Sequence, residues 1–164
     1  VKALIHTANH FNKKLRILES VEIVNENQKK ILFEKLLRHF KGNIKGRKIA
    51  IWGIAFKPET DDIREAPALV LIDLIKKAGG IVSAFDPAAM KECQRRNIDV
   101  IYAKDMYDAC IDADAMILVT EWKVFRIPSW SALKRIMKEH AVFDGRNIYD
   151  KSDVVGNGFA YYSI

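Results

Sequence analysis

The stretch "KIAIWGIAFKPETDDIREAP", Lys48–Pro67, indicates the fold of this chain most directly. Lys48–Trp52 is an apolar run of strand length, and Gly53 ends it. After a polar loop, Asp62 and Glu65 have the spacing of a helix capping box, so we expect a helix to start near Asp62. Strand, loop and helix form the repeating unit of α/β proteins, whose ligands bind at the carboxyl ends of the strands.

The same alternation of strand and helix continues through the rest of the chain. We predict strands at 81–85, 100–103, 115–120 and 141–143, and a last edge strand within 152–164. Helices are predicted at 64–78, 88–97, 106–113 and 131–139. Strands separated by helices predict an α/β fold, a Rossmann-like and mostly parallel sheet with helices on both faces.

A helical arm is predicted to precede this sheet. Residues 1–11 have helical composition, and apolar spacings of three and four across 15–40 predict one long helix. A gap in that spacing holds Asn25 and Gln28, which are either surface residues or partners across a helix–helix contact. We therefore predict a helical arm with its linker at 1–46 and a Rossmann-like domain at 47–164. The chain opens without methionine, so we expect it to be part of a longer protein.

Composition and charge exclude several classes of protein. A chain of 164 residues with 49% hydrophobic and 29% charged residues is typical of one soluble domain, and no apolar run or signal peptide suggests a membrane. We expect a cytoplasmic protein, in which Cys93 and Cys110 are free thiols. The net charge of +6 lies entirely within residues 1–46. Because residues 47–164 are neutral, we expect no nucleic-acid surface.

The loop after the first strand lacks the glycine motif G-x-G-x-x-G of dinucleotide-binding folds. Gly53 is followed by Ile54, Ala55, Phe56, Lys57 and Pro58, which are too bulky for a pyrophosphate to approach the backbone. Lys57 and Arg64 are candidate ligands of phosphate oxygens, and Phe56 could stack on a base or ribose. Alternatively, Phe56 is a core residue and both cations pair with acids of the same loop.

Polar residues also follow the other strands. Asp86 ends the second strand, where it could hold ribose hydroxyls or simply cap a turn, and "TEW" at 120–122 ends the fourth. "FDGRN" at 143–147 places Arg146 just past the fifth strand, after a Gly145 that could form a sharp turn. Because these strand ends meet at one edge of a parallel sheet, we favour a ligand site there. His6 and His10 are too few for a metal site.

Four of these motifs, "GIAFKPETDDIREAP", "FDP", "TEW" and "FDGRN", together resemble the C-terminal third of the UDP-glucose/GDP-mannose dehydrogenase family. The resemblance covers nearly the whole chain. It implies an NAD-dependent oxidation of the sugar hydroxymethyl group to a carboxylate, with UDP-glucose as the expected substrate and two NAD reduced. It also implies a homodimer built through the helical arm.

The resemblance assigns roles to four residues. Phe56 and Lys57 would contact the UDP-sugar, Arg146 would reach its uridine diphosphate end, and Arg64 would approach NAD. The nucleophilic cysteine and the glycine motif of the family are missing from these residues, so we predict no catalytic residue and no metal site in this chain, and no activity of the chain alone. Alternatives are a GDP-mannose or UDP-N-acetylhexosamine dehydrogenase domain, or an isolated dimerisation module. The missing glycine motif argues against a free-standing NAD-binding regulatory domain.

Overall fold

A computed structural model describes all residues, 1–164, and contains one six-stranded sheet. The strands are β1 (Lys48–Trp52), β2 (Ile81–Phe85), β3 (Ile101–Tyr102), β4 (Ala115–Leu118), β5 (Ala141–Asp144) and β6 (Ala160–Ser163). Every neighbouring pair is parallel, and the order across the sheet is β3-β2-β1-β4-β5-β6. This confirms the predicted Rossmann-like α/β fold, including the last strand at the sheet edge.

Eight helices surround or precede the sheet. They are α1 (Lys2–His10), α2 (Arg16–Gln28), α3 (Ile31–His39), α4 (Pro67–Lys77), α5 (Met90–Arg95), α6 (Met106–Cys110), α7 (Trp130–Ile136) and α8 (Lys151–Gly156), with a 3₁₀ turn at Lys123–Phe125. The sequence pattern missed α8 and the 3₁₀ turn, which are too short to show a helical period. None of the helices combines the length and apolar character needed to cross a membrane.

Helix α4 begins at Pro67, so the predicted start near Asp62 is wrong. Ala66 has an extended backbone, with φ −63° and ψ 131°, because the residue before a proline is pushed out of the helical region. Pro67 itself suits the first helical position, where no backbone donor is needed. Asp62 instead accepts hydrogen bonds from the backbone and guanidinium of Arg64. The polar loop is therefore longer than the sequence indicated.

The single long helix predicted over 15–40 is two helices. The amide of Lys30 bonds to the carbonyl of Asn27 at 3.0 Å, three residues back, and this tight turn separates α2 from α3. α2 buries no residue, whereas α3 buries Leu32 and Leu36. The bend between α2 and α3 therefore lies where the side chains of the arm begin to pack into the core.

The core is one cluster formed by the strands, α3 and the helices that cover the sheet. Leu32, Leu36, Phe40 and Ile44 belong to it, so the second half of the predicted arm packs with the Rossmann-like domain. His39 Nδ1 lies 2.8 Å from the Tyr162 hydroxyl, which joins the end of α3 to β6. The domain boundary at residue 46 stays a prediction.

Candidate functional site

A cleft of about 640 Å³ lies at the carboxyl ends of β1, β4 and β5. Phe56, Val119 and Arg146 line it from the loops that follow these three strands. The opposite wall comes from α1, α2 and the start of α3. From β1 the sheet continues through β2 to β3 on one side, and from β4 it continues through β5 to β6 on the other. The cleft therefore lies where the strand order reverses, which is the topological switch point at which ligands of such sheets bind.

Asp86, the acid at the end of β2, is a structural brace. It is 1% exposed, and its carboxylate accepts bonds from the backbone amides of Ile54, Ala55, Ala88 and Ala89 and from Trp122 Nε1. These five donors leave no free lone pair for a ribose. The turn-capping alternative is therefore confirmed, and the start of the β1 loop is fixed by a buried charge.

Gly53 and Thr120 lock the β1 loop against the end of β4. Gly53 has φ +86°, and a Cβ placed there would lie 2.5 Å from the Thr120 Cβ. The Thr120 hydroxyl donates to the Ala55 carbonyl at 2.6 Å. Glycine is needed here for its backbone conformation and for the close approach of β4, and neither reason involves a phosphate.

Asp144 braces the loop that follows β5. This residue is fully buried, and its carboxylate accepts bonds from the amides of Arg146, Ile148 and Tyr149 and from the Tyr161 hydroxyl. The four bonds measure 2.8–3.0 Å. The backbone of Arg146 is therefore fixed by a hydrogen bond to a buried carboxylate.

Gly145 lets α3 approach the β5 loop. A Cβ at this position would lie 2.7 Å from Leu32 Cδ1 and 2.8 Å from the Leu118 carbonyl oxygen. The backbone bends at Gly145 and Arg146, but the φ of Gly145 is not positive, so the turn itself does not require glycine. Its small size is what matters, because it brings the start of α3 against the cleft.

Arg146 reaches the cleft with its guanidinium tethered at one end. Its Nε donates to the Val119 carbonyl at 2.6 Å and lies 2.9 Å from Glu121 Oε2. The terminal Nη groups make no hydrogen bond with the protein. A guanidinium with two free nitrogens at a cleft is suited to bind phosphate oxygens.

The four predicted site residues do not all meet in this cleft. Phe56 and Arg146 line it, and Phe56 is 51% exposed, which excludes the core alternative for that residue. Lys57 and Arg64 are exposed and lie outside its lining. Arg64 forms a two-point pair with Asp62, and this pair lowers the pKa of Asp62 to about 2. The self-pairing alternative therefore holds for Arg64, whereas Lys57 has no acidic partner within 4 Å.

The arm supplies a cluster of charges to the opposite wall. Lys2 pairs with Glu22, Glu26 and Glu65, and Lys29 pairs with Glu26. The hydrogen bond with Glu65, followed by that with Glu26, raises the pKa of Lys2. Because Glu65 belongs to the β1 loop, this cluster joins the arm to that loop across the cleft mouth. No local sequence pattern indicates this cluster, since its partners are up to 63 residues apart.

The structure also shows the surroundings of the other polar residues considered from the sequence, namely two arm amides and two cysteines. Asn25 and Gln28 line the cleft and make no side-chain hydrogen bond within the chain, so the helix–helix contact that we considered is not formed between helices of one copy. Burial raises the pKa of Cys93 to about 11 and that of Cys110 to about 12, which keeps both thiols protonated. No group of histidine, cysteine and acidic side chains could hold a metal ion.

A parallel sheet with a cleft of this size at its switch point defines the class of α/β domains that bind nucleotides at the sheet edge. Comparison with known proteins identifies the family within that class. Residues 50–151 match the sequence model described as UDP-glucose/GDP-mannose dehydrogenase family, UDP binding domain. The chain belongs to this family, as the resemblance of its motifs implied.

Curated relatives support the same conclusion. The chain is 40% identical over 170 residues to a UDP-glucose 6-dehydrogenase of Pseudomonas aeruginosa and 38% identical over 162 residues to one of Rhizobium meliloti. These alignments cover 100% and 99% of this chain but only 38% and 37% of the two relatives. The chain therefore spans little more than a third of the length of the relatives that it matches.

A solved structure shares the fold. The structure described as a UDP-glucose dehydrogenase from Pyrobaculum islandicum superposes with a TM-score of 0.80 at 27% identity, over 98% of this chain and 34% of that chain. Both the sequence and the structural comparison thus place the whole of this chain on one part of longer dehydrogenases.

Proposed function

We propose that this chain holds the uridine diphosphate end of a nucleotide sugar within an NAD-dependent UDP-glucose 6-dehydrogenase, which oxidises UDP-glucose to UDP-glucuronate while two NAD are reduced. The observation that carries the proposal is the tethered Arg146, whose free Nη groups face a cleft lined by Phe56. Membership of a family with a UDP binding domain supports the choice of ligand. Phe56 supplies an exposed ring on which a base or ribose can stack.

Lys57 and Arg64 have separate proposed roles. Lys57 is exposed beside the cleft, and a flexible ammonium on a four-carbon stem could turn towards the sugar phosphate. Arg64 would meet NAD, but its bidentate pair with Asp62 must first open or accept a shared ligand. This chain has no glycine motif after β1, so the main NAD site is proposed to lie in another part of the whole enzyme.

The arm is proposed to join two copies of the protein. The apolar side chains of the arm are exposed, and α1 and α2 bury no residue of their own. The exposed residues are Leu4 in α1, Phe11 just after it, and Ile17, Val21 and Val24 in α2. An apolar surface of this kind on a monomer marks an interaction site. Sedimentation of the chain at increasing concentration should show a dimer, and a strict monomer at high concentration would contradict this proposal. We retain the cytoplasm as the predicted location.

Titration calorimetry with UDP tests the proposed site. A charge-assisted contact with phosphate contributes roughly 1.5–3 kcal/mol, so Arg146→Ala should weaken binding about tenfold or more. Lys57→Ala should weaken it less, because Lys57 is not anchored towards the cleft. Arg135→Ala is the control, since Arg135 is exposed on α7 and pairs with no acid. Undiminished binding after both Lys57 and Arg146 become alanine would refute the site.

The same titration with UDP-glucose, GDP-mannose and a UDP-N-acetylhexosamine separates the substrate alternatives. UDP-glucose and UDP should bind with similar affinity if the diphosphate supplies most of the contacts in this chain. Preference for GDP-mannose would favour the guanine-nucleotide branch of the family. Reduction of NAD should require the complete protein that contains this chain, and activity of the 164 residues alone would contradict the assignment of the chemistry to another part.

A further inference from the structure

We propose that Glu121 is a positioning residue for Arg146, holding its guanidinium in the orientation that binds a nucleotide diphosphate. The inference rests on the proposed function, because it concerns how the same cleft recognises its ligand. Glu121 follows β4, whereas Arg146 follows β5, so the pair joins two neighbouring strand ends beside the cleft that Arg146 lines.

The contact between the two side chains is an ion pair without a hydrogen bond. Arg146 Nε carries one hydrogen, and that hydrogen is donated to the Val119 carbonyl at 2.6 Å. Glu121 Oε2 lies 2.9 Å from the same nitrogen but accepts no hydrogen bond from any group in the chain. The carboxylate therefore acts on Arg146 through its charge and its bulk.

The side chain of Glu121 is 35% exposed, but one of its two carboxylate oxygens faces into the protein. Glu121 Oε2 is cut off from solvent, and Arg146 is the only cationic side chain within 4 Å of it. A buried carboxylate oxygen without a hydrogen bond is costly, so a compensating contribution is expected. Asp86 and Asp144, the other acids at these strand ends, each accept at least four hydrogen bonds and have a structural reason to be buried.

The backbone on both sides of the pair is already fixed. Thr120, directly before Glu121, donates its hydroxyl to the Ala55 carbonyl, and the amide of Arg146 donates to Asp144. At this pair, the conformational freedom that ligand binding would remove therefore lies in the Arg146 side chain and not in the backbone. A neighbouring carboxylate and carbonyl that hold Nε reduce this loss and direct both Nη groups to the cleft.

Positioning and direct charge repulsion predict opposite effects on an anionic ligand. A negative charge close to the diphosphate should weaken binding, so its removal alone should strengthen binding. Loss of the positioning contact should weaken binding, because Arg146 then samples orientations that miss the phosphates. Glu121→Gln removes the charge and keeps the bulk and an acceptor oxygen, whereas Glu121→Ala removes all three.

The test measures UDP affinity of the wild type, Glu121→Gln and Glu121→Ala by calorimetry at one fixed salt concentration. Glu121→Ala should bind UDP about threefold to tenfold more weakly than Glu121→Gln, the size expected from ordering one long side chain. Glu34→Ala is the control, since Glu34 is exposed on α3, outside the cleft lining, and pairs with no cation. Equal affinity of the two Glu121 variants, or tighter binding by Glu121→Ala, would overturn the inference.

A ligand-free measurement separates this inference from the proposed function. The Arg146 Nε–H resonance in NMR, assigned by its loss in Arg146→Lys, should be sharp in the wild type and in Glu121→Gln. It should broaden or shift towards free arginine in Glu121→Ala, and an unchanged resonance would overturn the positioning role. A sharp wild-type resonance without UDP binding would contradict the proposed function and leave the positioning of Arg146 intact.

Discussion

The loops after β5 and β1 both border the cleft, yet they are held in different ways. The β5 loop places Arg146 within two residues of its strand and fixes it through the buried Asp144 and the close contact of Gly145 with α3. The β1 loop is braced by Asp86 only at its start. Beyond Ala55 it is largely exposed, and it contains Glu59 and Glu65 with φ of 62° and 57°.

This difference indicates that the two loops contribute to ligand binding in different ways. The β5 loop presents a preorganised cation, so it should recognise a diphosphate with little rearrangement. In the β1 loop, Arg64 pairs with Asp62 of the same loop and Glu65 pairs with Lys2 of the arm. These pairs are exposed and should exchange readily for contacts with a ligand or another part of the enzyme.

The largest effect should follow from Asp144→Ala, which removes the brace of the β5 loop. Three buried or half-buried backbone amides and the Tyr161 hydroxyl would lose their acceptor, so the free energy of unfolding should fall by about 3–5 kcal/mol. Chemical denaturation measures this change. Asp62→Ala is the matched control in the β1 loop and should unfold like the wild type, because its pair with Arg64 is exposed. Equal losses from both variants would contradict the comparison.

An intermediate effect is expected where α3 meets the β5 loop. Gly145→Ala places a Cβ 2.8 Å from the Leu118 carbonyl, which cannot move without disturbing β4, so the free energy of unfolding should fall by about 1–3 kcal/mol. Gly156→Ala is the control, because no atom lies within 4 Å of the new Cβ and its φ is not positive. That change should be neutral or stabilising by up to about 1 kcal/mol in thermal or chemical unfolding. A destabilised Gly156→Ala, or an unaffected Gly145→Ala, would show that space is not what selects glycine at residue 145.

The sequence predicted the sheet well because each strand is a short apolar run bounded by turn residues. β1, β2 and β5 lie within one or two residues of the predicted positions, and helices between the strands indicated parallel pairing. The cleft lies at the edge where the sequence predicted a ligand site, since parallel strands bring their carboxyl ends together. Arg146 could therefore be assigned to the cleft from its place just after β5.

The other features of the site could not be predicted, because they depend on contacts between residues that are far apart in the sequence or on competing local signals. The spacing of Asp62 and Glu65 resembles a capping box, but Pro67 determines where α4 starts. Glu121 and Lys2 have partners far along the chain, so their roles are visible only once the fold brings Arg146 and Glu65 close. The bend between α2 and α3 falls just after the gap in apolar spacing that holds Asn25 and Gln28, but only the burial of α3 shows that the helix divides there.

The smallest effect should appear at the far end of α3, where His39 contacts Tyr162. Burial, opposed by Glu139 and aided by Arg47, lowers the pKa of His39 below its usual value. The unfolded state then binds the proton more tightly, so stability should fall as the pH drops from 7.5 to 5.5. Denaturation at both pH values should show a smaller fall in His39→Gln than in the wild type, whereas the exposed His10→Gln should behave like the wild type. An identical pH dependence in all three would mean that α3 is not sensitive to protonation at this contact.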